Sequence, residues 1–140
     1  MDTNQLIAIG FDQTVAEYVS EYVNRLNDND AKFTGIRHGG RYAHFSVDAE
    51  ATRRNKFVRI VSDTDPGGQY GKSVHAFIIK ATGEIAKPAG WQGPAKGMGA
   101  NNKGQILARF NLIDEDSRNA LWNLLDTNSA AFTGGYLYAR

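Results

Sequence analysis

The sequence predicts an α+β fold, a single antiparallel β-sheet of about five to six strands with an N-terminal and a C-terminal helix packed on it. Three observations predict it. An apolar stripe of helical period runs from Val15 to Leu26, β-branched and aromatic segments then follow one another with no helical pattern between them, and a second helical stripe lies behind the acidic turn at 114–116. The chain has 140 residues, 41% hydrophobic and 22% charged. That length suits one core, so a single domain spanning 1–140 is expected.

The first helix is read from Val15, Tyr18, Val19, Tyr22, Val23 and Leu26, which share one face at 3.6 residues per turn. Its start is offered two caps, Asp12, or Thr14 with Glu17 as a capping box, and "NDND" at 27–30 is expected to end it. The strands follow. In "RYAHFSVD" Ala43, Phe45 and Val47 alternate with Tyr42, His44 and Ser46, and "KFVRIVS" and "SVHAFIIK" have the composition and length of strands. "ATGE" at 81–84 reads as a hairpin turn into "IAK", and "QILARFNLI" as one more alternating strand. "DEDSRNALWNLLD" sets three acids in a first turn, where the helix dipole favours them, and Leu121, Leu124 and Leu125 on a buried face. "GGYLYAR" would close the chain as a short strand whose exposed edge offers a route to homo-oligomers.

Composition excludes several classes. With no cysteine there is no disulfide framework, thiolate metal site or cysteine nucleophile. No run approaches the roughly 18 apolar residues of a membrane span, and "MDTNQLIAIG" lacks a signal-peptide pattern. A cytoplasmic protein without a membrane partner is expected.

Several chemical motifs come close and fail. "PGGQYGKS" ends like a phosphate-binding P-loop, but Pro66 stands where the first glycine belongs and a strand, not a helix, follows. "GMGANN" has Asn102 where a dinucleotide fingerprint needs glycine. Both stretches read as mobile loops. His38, His44, His75 and Asp48 lack the spacing of a metal site, and Ser73 with His75 lacks a nucleophile elbow, so no metal, cofactor or catalytic residue is assigned.

The charge is unevenly placed. Residues 31–109 carry 13 Lys/Arg against 5 Asp/Glu, whereas the flanks carry 3 against 10. Either a positive face attracts polyanions, or acidic helices lie against a basic sheet. From Ile85 to Ile113 no acid interrupts, and "KPAGWQGPAKGMGANNKGQ" at 87–105 sets lysines around one tryptophan. Single-stranded nucleic acid needs cations to follow its phosphates and aromatic faces for its bases. The candidate residues are Lys87, Trp91, Lys96, Lys103, Arg109, Arg37, Arg41 and Tyr42, with Trp91 and Tyr42 for stacking. The competing reading makes Trp91 a cap on the core and the lysines solvated charges.

"KFVRIVSD…GKSVHAFIIKATGEIAKPAGWQGPAKG…ARFNLID" resembles a group of small proteins of tailed bacteriophages and environmental viruses. They share the pattern V-H-x-F, then T-G, then K-x-A-x-W-x-x-P-A-K and R-x-N-[LI]. The matching positions include His75, Phe77, Thr82, Gly83, Lys87, Trp91, Pro94, Lys96, Arg109, Asn111 and Leu112, within residues 56–113. The resemblance implies a viral setting and carries no activity with it. In the group the P-A-K-G segment runs almost directly into R-x-N-[LI], whereas here "MGANNKGQILA" intervenes, an insertion that lengthens a loop or strand.

The expected function is therefore a non-catalytic accessory protein of a phage-like virus, acting in the host cytoplasm and binding single-stranded DNA or RNA. The alternatives are a protein-interaction module, such as a virion component or an inhibitor of a host protein, and a sequestrant of a small nucleotide.

Overall fold

The computed structural model describes residues 3–37, 44–48, 56–63, 72–86, 88–89, 91, 93–94, 96–101, 103–105 and 108–127. Three helices and five strands lie within them: α1 (Thr3–Ala8), α2 (Gln13–Arg37), β1 (His44–Asp48), β2 (Phe57–Asp63), β3 (Lys72–Ile79), β4 (Glu84–Ala86), β5 (Ala108–Asn111) and α3 (Glu115–Thr127). The strands form one antiparallel sheet in the order β1-β2-β3-β4-β5. This is the α+β arrangement expected from consecutive strands with no helices between them. The closing segment "GGYLYAR" lies outside the described residues.

Helix α2 starts at Asp12, whose carboxylate accepts the Thr14 amide at 3.1 Å while its carbonyl takes the Ala16 amide at 2.8 Å. Asp12 is thus the N-cap, and the Thr14 box is not used. Its apolar stripe is buried as expected, with Val15, Val19, Tyr22 and Leu26 in the core. Two differences stand out. The short helix α1 precedes α2 and inserts Leu6, a residue outside the periodic stripe, into the same core. More telling, α2 does not end at "NDND" but runs through it to Arg37. The reason is tertiary. The Asn27 carboxamide accepts the Phe45 amide at 2.7 Å and donates to the Phe45 carbonyl at 3.0 Å, so a residue that favours helix ends is satisfied by strand β1 instead.

The sheet has two unlike faces. Phe45, Val58, Ile60, Ala76, Ile78 and Ile85 join the helices in one buried cluster. Strand alternation sends Phe57, Arg59 and Phe77 to the opposite face, where Arg59 is the register partner of both Asp48 and Phe77. Between Ile60↔Ala76 and Val61↔Val74 the register skips His75, a bulge in β3. His75 is wholly buried against the helices, with Nε2 2.7 Å from the Tyr22 hydroxyl and its ring edge-on to Phe45 at 5.1 Å. Helix α2 thus engages that imidazole through Tyr22, while Ser73, two residues before it, is exposed.

The turn after β3 closes on Gly83, whose φ of 72° lies in the left-handed region. A β-carbon there would stand 3.2 Å from Ile113 Cγ1, and the Gly83 carbonyl accepts the Leu112 amide at 2.9 Å. Strand β5 is shorter than "QILARFNLI", covering Ala108–Asn111, and the register skips Arg109 at a second bulge. Asn111 then builds the entry to α3. Its Oδ1 accepts the Ile113 and Asp114 amides at 2.8 and 3.2 Å, and Asp114 caps the helix through the Ser117 amide at 3.0 Å. Leu121 and Leu125 of α3 are buried. Arg25 of α2 lies 4.6 Å from the Trp122 ring and 3.0 Å from Asp126, and Arg118 stacks 4.1 Å from Tyr18, so cations tie α3 to α2.

Candidate nucleic-acid interface

Trp91 and Gly93 lie against the sheet face that carries Phe57, Arg59 and Phe77, opposite the helices. Pro88 and Pro94 form an antiparallel bridge, and the Ala89 amide donates to the Gly93 carbonyl at 3.1 Å, which closes a short loop with Trp91 at its tip. Gly93 lies against Phe57, where an added β-carbon would be 3.5 Å from the ring tip. Phe57 in turn meets Phe77 edge-on at 5.2 Å. Phe77 and Pro94 are buried, so this loop covers a small apolar patch of its own, separate from the helical core. A second loop follows, pinned by a parallel bridge between Gly97 and Lys103, by the Gly97 amide on the Gln105 carbonyl at 2.8 Å, and by the Gly104 amide on the Gly97 carbonyl at 3.0 Å. What the sequence suggests as punctuation is, among the described residues, a hydrogen-bonded strap.

Arg59 fastens the strap. Its Nη1 donates to Asp48 Oδ2 at 2.8 Å, its Nη2 donates to the main-chain carbonyl of Trp91, and its guanidinium carbon stands 5.0 Å from the centre of the Trp91 ring and 5.9 Å from that of Phe77. A planar cation between two aromatic rings is a favourable arrangement, more so when it is largely withdrawn from water, and the Arg59 side chain is only 11% exposed. Trp91 itself remains 44% exposed. It is neither a core cap nor a bare surface ring, because its carbonyl and one part of its ring are held by Arg59 while much of the indole faces water.

Of the expected site residues, Trp91, Lys96 and Lys103 fall together on this strap, and all three are exposed. The Gly97–Lys103 bridge brings the backbones next to Lys96 and at Lys103 side by side, so the two cations belong to one end of the strap. Arg109 is placed in β5 at the bulge, and Arg37 is the last residue of α2, well apart from it in chain order. Lys87, Arg41 and Tyr42 lie outside the described residues. Arg59 is the member that sequence reasoning left out of the site. Its signal was its position in the basic run, but a link across 32 residues to Trp91 cannot be read from spacing.

The resemblance pattern itself divides by role. His75 and Phe77 of V-H-x-F are buried, Gly83 of T-G makes the left-handed turn, and Asn111 and Leu112 of R-x-N-L build and bury the entry to α3. Trp91 and Lys96 are the described members of W-x-x-P-A-K that face solvent. Among the described residues no three His, Asp or Glu side chains are grouped to hold a metal ion, and no helix is long and apolar enough to cross a membrane.

The fold and this site define an α+β protein whose antiparallel sheet carries helices on one face and an arginine-fastened, lysine-bearing strap on the other. The chain belongs to the family of unknown function DUF7717, whose sequence profile matches residues 7–139. No curated protein and no solved structure matches it.

Proposed function

We propose that the protein binds single-stranded nucleic acid, without catalysis, through the exposed side of the strap. The observation that supports this reading is Trp91, a large aromatic ring 44% exposed yet fixed from below by a buried cation. A stacking platform needs that combination, because an indole already positioned loses little further freedom when a base lies on it. Lys96 and Lys103, both exposed on the same strap, supply cations for the phosphates on either side. In this reading the protein is an accessory factor of a phage-like virus, acting in an infected bacterial cell.

The test is a fluorescence titration with single- and double-stranded DNA and RNA at several salt concentrations, in a Trp122→Phe background so that Trp91 reports alone. Single strands are expected to quench Trp91 and to bind more weakly as salt rises, with a log–log slope of about −0.7 for each phosphate contact. Lys96→Ala with Lys103→Ala is expected to flatten that slope, and Trp91→Ala to weaken binding by about 1–3 kcal/mol, measured by anisotropy of a labelled strand. Absence of binding at low salt defeats the proposal. Capture of a host protein that survives high salt would instead favour an interaction module.

A further inference from the structure

The Arg59 guanidinium is incompletely satisfied. Nη1 is on Asp48 and Nη2 on the Trp91 carbonyl, but Nε is buried and has no hydrogen-bond partner among the described residues. In a guanidinium, Nε–H and one Nη2–H point the same way and form a two-pronged edge suited to an oxyanion with two oxygens. The Trp91 carbonyl takes one Nη2 donor here, and Nε–H is left unused among the described residues. Buried donors are rarely left so, since the desolvation of the group is then uncompensated. The covering carbonyl belongs to the tip of the strap, which the Pro88–Pro94 bridge closes as a short loop and which also carries the exposed indole.

We propose that the Nε/Nη2 edge of Arg59 is a binding site for a phosphate oxyanion, closed in this structure by the Trp91 carbonyl and opened when the strap tip shifts. The phosphate takes both donors where the carbonyl takes one. Asp48, on the other end of the guanidinium and 28% exposed, keeps the arginine oriented but repels the arriving anion, so the site favours a ligand that also gains from stacking on Trp91. The ligand class rests on the single-strand reading above, but the edge is tested separately from it. The same chemistry is offered by a phosphodiester within a strand and by a terminal or free phosphate, and the arms of the experiment separate these sources.

The experiment follows the Arg59 Nε–H resonance in the ¹⁵N-labelled full chain, assigned from its loss in Arg59→Lys, at constant ionic strength. Three ligands are added in turn: an oligothymidylate with hydroxyl ends, thymidine 5′-monophosphate, and inorganic phosphate. The oligothymidylate is expected to shift the Nε–H signal, Arg59→Lys to lower its affinity by about tenfold, and Asp48→Asn to raise it. If only the monophosphate and inorganic phosphate shift the signal, the oxyanion site stands and the single-strand reading falls. If the oligothymidylate quenches Trp91 while Nε–H stays still and Arg59→Lys binds like the wild type, the site is overturned and the single-strand reading survives. If no ligand moves either signal, both are overturned. The shift itself is read in the wild-type chain, and the variants serve for assignment and for affinity.

Discussion

Tyr22 and His75 meet across 53 residues of chain, and neither exposes any surface. A buried imidazole nitrogen left without its partner retains the cost of leaving water, whereas the pair together is close to neutral in cost. Replacing Tyr22 by Phe keeps the ring and removes only the hydroxyl, so the expected loss of stability is about 1–3 kcal/mol, seen as a lower urea midpoint with an unchanged slope. An unchanged midpoint would mean that His75 is satisfied without Tyr22. The bulge explains why this histidine is inside at all. A regular strand would send His75 and Ala76 to opposite faces, but the extra residue lets both face the helices. Arg59 is a second residue whose role depends on its setting. On a bare sheet it would be one cation among many, but between Asp48, Phe77 and Trp91 it fastens a loop.

At the level of elements, helix α2 and the strap show local signals overridden by partners elsewhere. "NDND" has the composition of a helix end, and short polar side chains do compete with the helix backbone. Asn27 escapes that competition because strand β1 takes both ends of its carboxamide. Asn27→Ala is therefore expected to destabilise the protein by about 1–3 kcal/mol despite alanine's better helix propensity, since the two Phe45 backbone groups lose their partner. Hydrogen exchange is the sharper measurement. The Phe45 amide should lose protection by more than the central β2 and β3 amides, and equal losses everywhere would argue for a merely global effect. The strap follows the same logic, since its glycines and prolines suggest a loop and its two bridges make it a folded cover for Phe57 and Phe77.

For the molecule as a whole, the helices cover one face of the sheet and the strap lies against Phe57 and Arg59 on the other, while Lys80, just past the end of β3, lies beside Gly10. Its Cδ and Nζ each lie 3.5 Å from the position a β-carbon would take at Gly10. Partial burial lowers its pKa below the ordinary 10.5, because desolvation disfavours the charged amine. The sign follows from proton counts. Between the folded and unfolded pKa values the unfolded chain holds more protons, so this group's contribution to stability rises with pH through that window and is complete above 10.5. The stability of the wild type relative to Lys80→Gln is accordingly expected to increase as the pH rises toward 10.5, measured by urea melts at matched pH. A difference independent of pH would place the Lys80 amine in water. Among the described residues, ion pairs join Arg25 to Glu21 and Asp126 in the helices and Arg59 to Asp48 in the sheet.

The fold was legible in the sequence wherever a short period carried it. The buried stripe of α2, the run of antiparallel strands and the buried leucines of α3 all follow from spacing, because amphipathic elements have one apolar face to hide and few ways to hide it, whereas Asp114, expected within the first turn of α3, stands before it as the cap. The candidate site was legible as composition, in lysines around Trp91, but not as geometry. Tertiary structure decided that α2 passes through "NDND", that His75 turns inward at a bulge, and that Arg59 reaches Trp91 with its Nε unpartnered among the described residues. Each of these depends on groups tens of residues apart that meet only when the sheet has formed. Local pattern holds no record of such meetings, since backbone periodicity determines which face a residue occupies and packing alone determines what lies opposite it.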